Sequence, residues 1–252
     1  MLWTLAFGAA VSALAAAAFA YAGARFVSRG LGAERRASRA FAAWWLGIAA
    51  YAVLQAAQDA MGAAGSTPLP LFAALRYATL ALICIAFAGL AHYVLYVRRG
   101  DDRLTPWVWV YYGLLAGAFV AIVRAAGITG VMVQRWKADV AVGPAVDARL
   151  FAVSLLLAIV PVVLATAAYL RLRALTDDAR QRRRILVVGC GILLALVAMA
   201  VSRATNDDAF QLVARPILGA GVALLIAREF RDPRPPNLEA RDALHQRVRE
   251  LV

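Results

Sequence analysis

The residues of this chain that could do chemistry are polar groups set inside long apolar stretches. Tyr51, Gln55, Gln58 and Asp59 are spaced so that a helix would carry them on one face. Asp208, Gln211 and Arg215 make a second such face, and Pro216 beside Arg215 weakens the local helix. Arg76 and Arg203 stand near the ends of two further apolar stretches. Polar groups in hydrocarbon are costly, so they turn toward a cavity or toward one another. The chemistry this predicts is recognition, not bond-making: a pocket of net cationic character for a small anionic or amphipathic molecule. The competing reading is that these charges pair among themselves or snorkel to the surface.

Enzyme chemistry finds little support. The two histidines, His92 and His245, are too few for a zinc site built on facing helices or for a pair of haem ligands. The pairs Asp101-Asp102, Asp177-Asp178 and Asp207-Asp208 are adjacent. On a helix they would point about 100° apart and could not share one metal cluster. No Ser–His–Asp set and no phosphate loop can be assembled. A covalent retinal needs a lysine within the membrane. The only lysine, Lys137, falls in a loop, so no cofactor is expected. Cys84 and Cys190 lie in apolar segments and read as small packers.

The elements that must position these groups are membrane helices. Of 252 residues, 63% are hydrophobic, against 45–50% in a soluble domain, and mean hydropathy is +0.70. Apolar segments fall at about 2–27, 40–62, 69–97, 105–126, 149–171, 184–202 and 209–228. Each is long enough to cross ~30 Å of hydrocarbon. Without water to satisfy backbone groups they must be helical. The first lacks a positive n-region and reads as a retained helix, not a signal peptide. The expected fold is an all-α bundle of seven transmembrane helices over residues 1–230, followed by a tail at 231–252.

Orientation follows from arginine. With the N-terminus outside, the cytoplasmic side collects five arginines in the first loop (Arg25 to Arg39), three in the third (Arg98, Arg99, Arg103), six in the fifth (Arg171 to Arg184) and six in the tail. The bias holds at every loop. The net charge of +12 is thus a topological signal, and nucleic acid is not an expected partner. Trp44, Trp45, Tyr93, Tyr96, Trp107, Trp109, Tyr111 and Tyr112 sit where interfacial anchors belong. In the outer loop 127–148, Val131, Val133, Val140 and Val142 alternate around a polar centre, a hairpin-like pattern that could lid the bundle. An irregular loop on the interface is the other reading. In the tail, Asn237 can cap a short amphipathic helix carrying Leu238, Leu244, Val248 and Leu251.

The segments FAAWWLGIAAYAVLQAAQDAMG, LRYATLALICIAFAGLAHYVLYVRRG, RQRRRILVVGCGILLALV and ARPILGAGVALLIAREFRD resemble the seven-helix sensor module of bacterial histidine kinases and related signalling receptors. The resemblance covers most of residues 1–232. It implies a receptor of the cell (inner) membrane that binds a small-molecule ligand and signals to the cytoplasm. No kinase, cyclase or phosphatase domain follows the tail, so the output is expected to be a separate cytoplasmic signalling protein, or the chain is a receptor module on its own. A small-solute transporter is the alternative, with a scaffold or lipid-modifying protein behind it.

Overall fold

Long apolar runs close their own backbone hydrogen bonds, and among the described residues such runs form helices. The computed structural model describes residues 2–27, 34–99, 103, 105–174, 177–204 and 219–229. They form α1 (Leu2–Val27), α2 (Glu34–Ala63), α3 (Leu69–Arg99), α4 (Thr105–Ala126), a hairpin of β1 (Gly130–Val133) and β2 (Ala138–Ala141), α5 (Pro144–Ala174), α6 (Ala179–Ala204) and α7 (Gly219–Glu229). Among the described residues, five helices, α1 to α5, are long and apolar enough to cross a membrane. These are the helices of a multi-pass membrane protein.

The helices overrun the apolar segments at their charged ends. α2 begins at Glu34 instead of residue 40, and α5 at Pro144 instead of residue 149. Hydropathy marks only the stretch within hydrocarbon, whereas helical hydrogen bonding continues past it into the polar region. Proline suits the start of α5, since a first-turn N–H has no helical partner anyway. The end of α2 is also locally encoded. Gly65 takes φ of +70°, its N–H reaches the Gly62 carbonyl, and the Ser66 N–H reaches Met61, a Schellman closure that needs glycine at Gly65.

The described helices close a ring in which α1 packs on α2 and α7, α2 on α3, α3 on α4 and α5, α5 on α6, and α6 on α7. Small residues allow the closest approaches. A side chain at Gly89 would meet the Ala40 carbonyl at 2.5 Å, so α2 and α3 touch backbone to backbone there. Beside this contact Phe41 stacks on Tyr93, Trp44 meets Phe87 edge-on and Trp45 stacks on Phe19. Trp44 and Trp45 are therefore buried in the protein core and are not interfacial anchors. Trp107, Trp109 and Tyr111 are exposed, while Tyr112 and His92 are buried.

α5 contains Pro161, which cannot donate to the Leu157 carbonyl one turn back. The Tyr112 hydroxyl of α4 donates to that carbonyl at 3.2 Å and replaces the missing bond. In hydrocarbon an unsatisfied carbonyl has no water to turn to, which is why a tyrosine at this position carries weight.

Candidate functional site

The loop between α4 and α5 is a hairpin docked onto the ends of three helices. β1 and β2 pair antiparallel, with Gly130 opposite Ala141 and Val133 opposite Ala138. Arg135 and Trp136 make a two-residue connection, closed by the Gln134 N–H to the Lys137 carbonyl at 2.8 Å. That closure fixes the phase of the ladder. Val133 and Ala138 face each other without exchanging bonds, so both peptide groups of Ala138 point outward.

An outward-pointing strand edge needs partners, and α2 supplies them. The Ala138 N–H donates to Asp59 Oδ1 at 2.8 Å. The Gln55 side-chain amide donates to the Ala138 carbonyl at 3.3 Å and to Asp59 Oδ1 at 3.0 Å. Two side chains one helical turn apart thus grip one residue of the hairpin. Gly62 makes room for the contact: a side chain there would stand 2.7 Å from the Ala138 Cβ. Phe72 of α3 is fully buried beneath Ala138 and Val140, and Thr4 of α1 hydrogen-bonds the Arg135 carbonyl at the turn.

A charged cluster sits beside this clamp. Asp139 Oδ2 lies 3.3 Å from Arg76 Nη1 and 2.5 Å from Lys137 Nζ, while its Oδ1 accepts the Val140 N–H at 2.8 Å. Burial works to raise the Asp139 pKa, but Lys137 and Arg76 outweigh it and hold the carboxyl well below the usual carboxylate range. The arginine and aspartate side chains are only 13% and 8% exposed, so this is a buried ion cluster and not a surface pair. Two donors in the same region lack an acceptor: Gln58 Nε2 and Arg76 Nε are buried without a hydrogen-bond partner.

The structure therefore brings Gln55, Gln58 and Asp59, all buried, and the half-buried Arg76 to one end of the bundle, with Tyr51 half-buried on the same face of α2. Arg203 lies at the end of α6, and its side chain, with Asp208, Gln211 and Arg215, lies outside the described residues. So does the tail helix expected over 231–252. Among the described residues, Asp59 is bonded by Gln55 and by Ala138 of the hairpin, and Arg76 pairs with Asp139 of the hairpin. Lys137 and Asp139 belong to the site, although the sequence reading placed the lysine in the loop and gave the aspartate no role. Their spacing of two along a strand, which puts both side chains on one face, is the signal that could have found them. Lys137 lies in the hairpin, outside every described helix. No protein-family model matches the chain, and no curated protein matches it.

Proposed function

We propose that the chain is a seven-span membrane sensor with its N-terminus outside and its C-terminus in the cytoplasm. It receives a small anionic or amphipathic ligand at the outer ends of α2 and α3, beneath the hairpin, and signals to a cytoplasmic partner. α6 and the segment containing α7 supply the sixth and seventh spans, on the strength of their apolar sequences. The arginine distribution supports the orientation.

The observation that carries this reading is Asp139. The hairpin places its own buried carboxylate against the half-buried Arg76, at the ends of α2 and α3. An anion arriving at Arg76 competes with that carboxylate, so occupancy and hairpin position are coupled. Such competition gives the ligand different contacts in two arrangements, which any transmitted shift requires. The unpartnered donors on Gln58 and Arg76 suit a ligand rich in acceptors.

Thermal stability of the purified protein against small carboxylates, amphiphiles and lipids tests it. A ligand at ~100 times its dissociation constant stabilises by about 2.7 kcal/mol. The expected result is a shift in wild type, a larger one in Asp139→Asn, where the internal competitor is gone, and none in Arg76→Ala. No shift with any compound, with Arg76→Ala merely less stable, would make the cluster structural and the sensor reading wrong.

A further inference from the structure

A second feature lies at the opposite end of the bundle from the hairpin. Between α3, α4 and α5 runs an open groove of about 270 Å³, lined by Ala91 and Leu95, Trp107 and Tyr111, and Pro161 and Leu164. Its outer rim is aromatic and exposed: Trp107 is 71% exposed and Tyr111 47%. The groove is built into the fold. Tyr112 is drawn across to the Leu157 carbonyl that Pro161 leaves open, and Tyr111, set edge-on to Tyr112, is left on the other side as the rim.

We propose that this groove holds an acyl chain of an anionic phospholipid from the leaflet on the arginine-rich side. The lining carries no charged side chain, and its polar atoms are the Trp107 N–H, the Tyr111 hydroxyl and the Tyr112 hydroxyl, the last already given to Leu157. A concave apolar surface facing hydrocarbon fits a chain, and aromatic rings at its mouth suit the boundary between chain and headgroup. The sign of the headgroup follows from the helix ends that frame the groove. Arg98 is three residues beyond Leu95 on α3, about 4.5 Å along the axis. With Arg99, Arg103, Arg171 and Arg173 it outnumbers Asp101 and Asp102. Basic clusters between membrane helices favour anionic headgroups. The inference rests on the chain spanning a membrane and is independent of any ligand at the hairpin.

The test uses detergent-purified, delipidated full-length protein titrated with phosphatidylglycerol or phosphatidylcholine of matched chains, read by thermal stability. The expected result is roughly tenfold tighter apparent binding of phosphatidylglycerol, about the contribution of one or two arginines near an anionic surface. Ala91→Phe, which fills the groove, brings the phosphatidylglycerol response down to that of phosphatidylcholine. Equal shifts from both lipids, or an increment that survives Ala91→Phe, overturn the proposal. Should that variant fail to fold, wild type is crosslinked with phosphatidylglycerol bearing a diazirine in its chain. Adducts at Leu95, Trp107 or Tyr111 support the groove, and adducts scattered over α1 and α2 refute it.

Discussion

At the scale of single residues, Asp139 decides how the hairpin responds to acid. Its carboxyl is held low by Lys137 and Arg76 against the cost of burial, so the docked hairpin binds fewer protons than the released one. A carboxyl depressed in the folded state contributes stability at pH above the ordinary value of about 3.9 and loses it as pH falls below that value. The stabilisation from Asp139 should accordingly stay constant between pH 8 and 5, and the melting temperature should fall in acid below about pH 4. Asp139→Asn should lack that acid limb and be less stable at pH 7 by up to ~3 kcal/mol, because it removes the carboxylate that faces both Arg76 and Lys137. Adding Arg76→Gln to Asp139→Asn should recover part of the loss, since one of the two cations that faced Asp139 is then gone. A double variant no better than the single would mean that the two side chains do not couple. Asp59 acts through a different bond. It accepts the Ala138 N–H, which an amide oxygen also does, so Asp59→Asn should be milder than Asp59→Ala, whose cost is about 1–3 kcal/mol in the same melts.

At the scale of elements, two contacts depend on what is missing. Gly62 lacks the side chain that would strike Ala138 at 2.7 Å, so Gly62→Val should lift the hairpin from α2 while α2 itself persists. Trypsin reads this directly, because Arg135 lies in the turn and Lys137 follows it. Cleavage there should rise at least about tenfold over wild type, as expected when a docked segment loses some 1.4 kcal/mol or more. Cleavage unchanged by the valine would show that the hairpin is not held at Gly62. Pro161 lacks an N–H, and Tyr112 covers the resulting carbonyl. Tyr112→Phe should cost about 0.5–1.5 kcal/mol in wild type and much less in Pro161→Ala, where α5 can bond itself. Equal costs in both backgrounds would sever the link. These elements were unequally legible in the sequence. The alternating valines spoke for a hairpin at 131–142, and the residue spacing for a polar face on α2. That the two meet was hidden, because the hairpin's contribution at Ala138 is a backbone N–H and carbonyl, which every residue except proline carries. Which side chains α2 needed was visible, but what they were for was not.

At the scale of the whole molecule, hydropathy located the five long helices to within a few residues, because hydrocarbon thickness sets their length. It misread Trp44 and Trp45, since an indole buried between α1, α2 and α3 looks in sequence like one resting at an interface. The number of spans and their direction rest on arginine and apolar length, and parity makes them testable. The structure sets the Ser66 turn, beside the hairpin, three helices away from Asp177. If α3, α4 and α5 each cross, the two positions face opposite sides of the membrane. With Cys84 and Cys190 replaced by alanine, Ser66→Cys should react with an impermeant maleimide in intact cells, and Asp177→Cys only after permeabilisation. Both reacting from outside would mean that one of the three helices does not cross. If α6 and the segment containing α7 also cross, the chain from Asp177 to Val252 makes two more crossings and returns to the same side. A fluorescent protein fused after Val252 should therefore light up in the cytoplasm, and alkaline phosphatase fused there should stay inactive. An active phosphatase would make the number of crossings even and place the arginine-rich tail outside. The anion-competition account of Asp139 would survive that result, because it depends only on the hairpin end being exposed to solvent. Signalling to a cytoplasmic partner through the tail would not.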